Sequence, residues 1–385
     1  MTLNHTLLAQ MRAATRSLFR RGPSVARSVL DESIKTASAL HPAARPAHQH
    51  GHEQEKEQEQ EQEHAAASNQ ASYDPFSDTL AGLSRVGQSG GNPFNVRPPA
   101  AGVAAIGLPG HVIDASYTND AGTRHYKLYV PGSYEGAPAP LLMMLHGCTQ
   151  NPDDFALGTG MNALAEEYGC LVAYPAQSQQ ANASRCWNWF NAVDQRHGQG
   201  EPSIIAGITE EIMARYVIDP KQVYVAGLSA GGAMAAIMGT QYPDLYAAVG
   251  VHSGLPFAAA DDLPSAVAAM KGDFRKQHAP GRSLPIIVFH GDKDTTVHPV
   301  NGEELIGRRR RHPAEAVEVE PGQVPDGHAY TRTLHRRPDG SVHAEHWVVH
   351  GSGHAWSGGD ARGSYTDGKG PSASLAMLRF FRTAR

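Results

Sequence analysis

From residue 111 onward, apolar positions fall into short unbroken runs separated by longer stretches of helical spacing. Residues 141–145, 170–174, 223–226 and 286–289 are such runs. A strand apolar at every position suits a parallel sheet covered on both faces. Between the runs, residues 161–168, 203–216 and 230–240 carry apolar positions three or four apart, which predicts helices. This alternation predicts an α/β fold with right-handed crossovers. Residues 111–118 and 124–130 read as two strands around Asn119-Asp120-Ala121-Gly122, a hairpin signal. Residues 330–335 and 345–349 read as a later hairpin around Pro338-Asp339-Gly340, and 372–381 as a final helix.

The preceding 110 residues have a different texture. In residues 1–40, Leu7, Leu8, Met11, Leu18, Val25 and Val29 sit at helical spacing among arginines, and Gly22-Pro23 interrupts them. This predicts a basic amphipathic helical segment, either a short hairpin or tail, or an arm that docks on an apolar surface. Residues 41–110 form a low-complexity linker. Glu recurs at every second position from Glu53 to Glu63, so a helix there would stack like charges, and the segment has nothing to bury. His48, His50 and His52 read as part of a solvated tail rather than as metal ligands. Gly90-Gly91 and Pro98-Pro99 complete the linker. Residues 111–385 are then the folded domain.

Composition narrows the function classes. The 385 residues carry 33 Lys+Arg against 38 Asp+Glu, a net charge of -5, without the basic excess that nucleic-acid binding requires. Three cysteines are too few for a disulfide scaffold or a zinc ribbon. No run reaches the roughly 20 apolar residues that span a bilayer. Near the start only Leu7-Leu8-Ala9 is apolar, and Arg20-Arg21 precedes no apolar run, so no signal peptide is read and a cytoplasmic location is expected.

The chemistry centres on Gly227-Leu228-Ser229-Ala230-Gly231, which follows an apolar strand and opens a helix. A G-x-S-x-G turn in that context is a nucleophile elbow: small flanking residues let the backbone turn sharply and hold the serine oxygen at the sheet edge. The rival reading is a glycine-rich turn with a serine N-cap. An elbow serine needs an acid and then a histidine later in the chain. After residues 286–289, Asp292 and Asp294 compete for the acid. Asp294 lies further into the loop and is preferred, with Asp292 capping the turn. Among His298, His346, His350 and His354, only His354 occupies a glycine-rich loop beyond the last strand, free to reach the serine. The oxyanion hole falls to the amides of Ala230, after the nucleophile, and Cys148, in the loop after residues 141–145. A Cys148 thiol nucleophile is the rival, without elbow geometry.

The motifs LHGCTQNPDDFALGTGMNALAEEYGCLVAYPAQ, CWNWFN, GLSAGGAMA, VHSG, HGDKD and GSGHAWSGG, in this order, resemble the esterase family of poly(3-hydroxybutyrate) depolymerase catalytic domains. The resemblance covers about residues 111–385. It implies an α/β-hydrolase fold: a mostly parallel central sheet with helices on both faces. It implies Ser229, Asp294 and His354 as a triad, Cys148 beside the oxyanion hole, a Cys148–Cys186 disulfide, and Cys170 left over and buried. It also suggests that Trp187, Trp189 and Trp356 line an acyl groove, where core packing is the ordinary role of tryptophan. Secreted members of the family carry a signal peptide and often a separate binding domain, and neither is read here. That favours soluble esters, oligomers or amorphous polymer, with extracellular location as the alternative.

The reaction so implied is hydrolysis of 3-hydroxybutyrate or related short-chain esters, with no metal and no cofactor. Feruloyl and acetyl-xylan esters are the alternative substrates. A reading of a different class makes the chain a granule- or surface-binding protein targeted by residues 1–40.

Overall fold

The computed structural model describes residues 107–273, 283–307 and 315–383. The readings made for residues 1–40, and for 41–106 of the linker, lie outside the described residues. Strands β1 (His111–Asn119) and β2 (Gly122–Val130) pair antiparallel from His111↔Val130 to Asn119↔Gly122. Gly122, at φ 122°, takes a backbone conformation that side chains disfavour, and Asn119 Oδ1 accepts from the Ala121 amide at 2.9 Å to close the turn.

The apolar runs become β3 (Ala139–Leu145), β4 (Leu171–Pro175), β5 (Ile218–Leu228) and β7 (Ile286–Gly291). Between β5 and β7 lies β6 (Ala248–His252), which its length and its central Gly250 hid from the pattern. That glycine is required by close approach, since a Cβ there would lie 2.8 Å from the Met377 sulfur and 2.9 Å from the Ala226 Cβ. Three more strands follow: β8 (Ala316–Gln323), β9 (Ala329–Arg336) and β10 (Val342–Val349). The ten strands form one sheet in the order β1-β2-β4-β3-β5-β6-β7-β10-β9-β8. From β4 to β10 the neighbours are parallel, and pairing turns antiparallel at both flanks. β8 was not legible, because Pro321-Gly322 interrupts it and most of it is exposed, as an edge strand permits.

Strict alternation explains the unbroken runs. Leu141, Met143, Leu145, Val223, Val225, Ile286 and Val288 enter one core, while Leu142, Met144, Tyr224, Ala226, Ile287 and Phe289 enter the other. Over the second core lie α1 (Pro152–Thr159), α2 (Met161–Tyr168) and α7 (Ala373–Thr383); the first is covered by α3 (Gly200–Arg215), α4 (Ala230–Gln241), α5 (Leu263–Met270) and α6 (Val300–Gly307). α1 was not anticipated. It starts at Asn151, whose side chain accepts from the Asp154 amide, followed by Pro152 at the first turn. Two short strands, β11 (Trp356–Ser357) and β12 (Thr366–Asp367), pair outside the main sheet.

Candidate active site

Ser229 stands between β5 and α4 with φ 57° and ψ −119°, a strained conformation for a residue with a Cβ. The strain is imposed by packing. A Cβ on Gly231 would fall 2.0 Å from the Leu145 carbonyl oxygen, and one on Gly227 would fall 2.4 Å from the Gly231 backbone. Both glycines of the motif are therefore needed where β5, α4 and the end of β3 meet. The Ser229 amide donates to the His252 carbonyl at 2.9 Å, and the Ser229 carbonyl accepts from Ala233 at 2.9 Å, so both sides of the turn are held. Ala230 is the first residue of α4, where an amide lacks an intrahelical acceptor.

Asp294 and His354 come from the loops after β7 and β10, sixty positions apart in sequence. His354 Nδ1 lies 2.7 Å from Asp294 Oδ2. Asp294 Oδ1 accepts from the Thr296 and Val297 amides, both at 2.9 Å, which fixes the carboxylate plane. His290 Nε2 lies 3.4 Å from Asp294 Oδ2 and 2.8 Å from the Val297 carbonyl. Burial alone would raise the Asp294 carboxyl, but the charge and hydrogen bond of His354, with those of His290, outweigh it and hold it well below the ordinary carboxylate range. His290 was not singled out from the sequence; its position at the end of β7, four residues before the acid, was the available signal.

The competing acid has its own partner. Asp292 Oδ2 lies 3.1 Å from His350 Nδ1, and its Oδ1 accepts from the Gly351 amide at 2.8 Å. His350 Nε2 in turn meets the Thr331 hydroxyl at 2.9 Å. Asp292 thus anchors the base of the loop that carries His354, across a longer span than the local turn cap read from sequence.

After β3 the chain turns through His146, Gly147 and Cys148. The Gly147 amide donates to Gln150 Oε1 at 2.9 Å, Thr149 N to the Ser184 carbonyl at 2.7 Å, and Gln150 N to the Gly147 carbonyl at 3.3 Å. Among the described residues, the Cys148 amide between them has no such acceptor. Cys148 and Cys186 are joined by a disulfide, and Cys170 is free and buried. Closing a separation of 38 residues is worth about 4 kcal/mol in the chain-entropy account. Treatment with a reductant, or Cys186→Ala, is therefore expected to lower the melting temperature and, by loosening this loop, to lower ester turnover; melts and rates measured with and without reductant check both.

The tryptophans are a correction. Trp187, Trp189 and Trp356 are 0%, 3% and 1% exposed, so none offers an open face to a groove. Trp356 is caught between Phe155, edge-on at 5.5 Å, and His252, stacked at 5.1 Å, with its Nε1 donating to the Ser374 hydroxyl. Trp187 packs 5.8 Å from His146, and Trp189 packs edge-on to Phe190 at 5.6 Å. Burial of large aromatic area in the core is the stronger demand on these rings. Tyr365, by contrast, is 38% exposed, its hydroxyl 3.2 Å from Oγ1 of Thr149, the residue after Cys148. It lies in a glycine-rich stretch without periodicity, and no sequence signal marks it.

Two histidines beside the site are neutral by construction. His146 Nε2 accepts from the Gln177 amide at 3.1 Å, and His252 Nε2 from the Ser357 amide at 2.9 Å, so protonation would oppose two donors. Burial pushes His146 down to about 4, and burial with the charges of His290 and His354 pushes His252 down to about 3. Their stabilising contribution is present above the unfolded-state value near 6.5 and is lost as pH falls toward the folded values. Around pH 5, unfolding is expected to take up about two protons through these residues. Urea midpoints compared at pH 5 and 7 check it: the fold is weaker at pH 5.

No helix among the described residues is long and apolar enough to cross a membrane, and no group of three or more His, Cys, Asp or Glu among them is placed to hold a metal ion. A serine strained in this way, between a central parallel strand and the helix that follows it, makes the fold an α/β-hydrolase. The profile of the family described as esterase PHB depolymerase matches residues 124–312. Poly(3-hydroxyalkanoate) depolymerase C of Paucimonas lemoignei is 30% identical over 250 residues, covering 62% of this chain and 59% of that protein. Feruloyl esterase B of Thermothelomyces thermophilus is 30% identical over 198 residues, 46% of this chain and 67% of that protein. In architecture, the acetyl xylan esterase of Aspergillus awamori superposes with a TM-score of 0.56 at 21% identity, over 71% of this chain and 100% of that one. The chain belongs to the PHB depolymerase-type esterase family. It spans 59% of the length of the Paucimonas depolymerase.

Proposed function

We propose that the protein hydrolyses carboxylic esters by two-step acyl transfer, with 3-hydroxybutyrate oligomers or polymer as the substrate class. The observation that carries this is the 2.7 Å contact of His354 Nδ1 with buried Asp294, on loops at the same sheet edge as the Ser229 elbow. Ser229 Oγ attacks the ester carbonyl carbon while His354 Nε2 takes its proton. The amides of Ala230 and Cys148 hold the developing oxyanion. His354 then protonates the leaving alcohol, and in the second step it takes a proton from water as that water attacks the acyl-enzyme. Asp294 keeps the proton on Nδ1 and stabilises the imidazolium. Neither a metal nor an organic cofactor enters these steps.

The test is covalent. A fluorophosphonate should label one residue, mapped by mass spectrometry to Ser229, and the label should abolish turnover of a short-chain ester. Labelling elsewhere with activity retained would refute the assignment. The second reading, a feruloyl or acetyl-xylan esterase, draws on the similarity to feruloyl esterase B and on the architecture shared with the acetyl xylan esterase. Rates on hydroxybutyrate trimer, methyl ferulate and acetylated xylan separate the two. The Cys148–Cys186 bridge supports an oxidising compartment over the cytoplasm expected from the sequence. Residues 1–40 are retained as a candidate granule-docking arm, and unchanged sedimentation with polymer granules after deletion of residues 1–105 would refute that role.

A further inference from the structure

The segment following β3 contains Gln150 and Asp154, both buried, which the acyl-transfer chemistry does not use. Gln150 Oε1 accepts from the Gly147 amide at 2.9 Å, and its Nε2 donates to Asp154 Oδ2 at 3.0 Å and to the Ser364 carbonyl at 3.1 Å. Asp154 Oδ1 accepts from the Ser364 amide at 2.8 Å, and the Ser364 hydroxyl donates to Asp154 Oδ2. The Asp154 carboxylate, in the first turn of α1, therefore joins the loop before that helix to the loop of Ser364, 210 residues further on. One loop carries the Cys148 amide. The other returns directly to the histidine loop, because the Tyr365 carbonyl accepts from the Trp356 amide at 2.7 Å, two residues after His354.

The backbone around this junction leaves no slack. The Asp360 amide donates to the Gly158 carbonyl at 2.9 Å, and a Cβ on Gly363 would fall 2.3 Å from the Gly158 Cα. Thr149 and Tyr365, whose hydroxyls meet across the two loops, both hold positive φ, at 66° and 52°. Non-glycine residues keep such conformations only where surrounding contacts over-determine them. The disulfide and the Thr149–Ser184 bond hold the oxyanion loop from the side of Cys186. The Asp154 cluster ties it, through Gln150 and Ser364, to the segment that pairs with the histidine loop.

We propose that Asp154 is a positioning residue that, through Gln150 and Ser364, sets the oxyanion amide of Cys148 in register with His354. This rests on the acyl-transfer reading above. An oxyanion donor acts by being in place before charge develops, so a shift well under 1 Å is felt in the transition state more than in substrate binding.

The test uses Gln150→Ala, Ser364→Ala, the double variant and Asp154→Asn in the full chain, with a short-chain ester and a trifluoromethyl ketone whose hemiketal oxyanion occupies the same hole. Each variant is expected to lose about 10- to 100-fold in kcat with KM within about twofold. The ketone's inhibition constant should rise in proportion to the lost kcat/KM. Because both side chains act through one carboxylate, the double variant should lose little more than the worse single variant. Should Asp154→Asn fail to fold, the Gln150 and Ser364 variants decide the matter alone. Folded variants with undiminished kcat, or losses that multiply independently while ketone affinity stays constant, would overturn the inference. Ser229→Ala separates the two levels: if it is inactive while these variants are fully active, this inference alone falls, and if it is active, the acyl-transfer reading falls with it.

Discussion

Ser229→Ala is expected to lower kcat for ester hydrolysis by about a million-fold while leaving the fold intact. Alanine keeps the Cβ that the strained φ of 57° already accommodates, so the turn loses an oxygen and gains no new clash. The amide that donates to His252 and the carbonyl that accepts from Ala233 are backbone groups and persist. The loss should therefore fall on chemistry. Circular dichroism and a thermal melt establish that the variant is folded, and single-turnover kinetics with an activated ester measure the rate. Residual activity above the uncatalysed rate is expected, since the amides of Ala230 and Cys148, proposed to hold the oxyanion, remain.

The second large effect is Asp294→Asn, expected to cost about 10⁴-fold in kcat near neutral pH. The geometry gives the reason. Asp294 Oδ2 accepts from His354 Nδ1, and its Oδ1 accepts two backbone amides, so both oxygens are committed as acceptors. An asparagine must turn its NH₂ toward one of these donors. Facing His354, it favours the tautomer with the proton on Nε2, the nitrogen that has to receive the serine proton. Facing the Thr296 and Val297 amides, it breaks the loop instead. Asp292→Asn is the matched control. That pair with His350 is partly exposed, at 32% and 42%, and lies outside the proposed proton path, so its loss should change kcat by less than about tenfold. Equal losses for the two aspartate variants would contradict the choice of Asp294 as the orienting acid.

The two aspartates also show where sequence reasoning reached and where it stopped. Strand 286–289 and the two acids after it were legible, because an unbroken apolar run followed by polar residues is a local signal. That Asp292 holds His350 and the Gly351 amide was not, because those partners directly follow β10, which is brought beside β7 by the sheet order. The tryptophans failed for the same reason in reverse. The family resemblance suggested a groove, but Trp356 is buried by Phe155 and His252, which reach it from elements 201 and 104 positions earlier in the chain. β8 and α1 were missed for want of periodicity: one is an exposed edge with a proline, the other a helix of eight residues begun by a cap.

By itself, the sequence determined the strand–helix alternation, the β5–turn–α4 setting of Ser229, and the placing of Asp294 and His354, the residues proposed to act with it, in loops after later strands. Each depends on neighbours a few residues apart: apolar runs, glycines at a tight turn, a polar loop after a strand. Only the tertiary structure decided the antiparallel flanks of the sheet, the burial of the tryptophans, and the junction of Gln150, Asp154 and Ser364. Those depend on which distant segments the folded sheet and its covering helices bring within hydrogen-bond reach, and hydrophobic periodicity carries no information about partners 100 or 200 residues away.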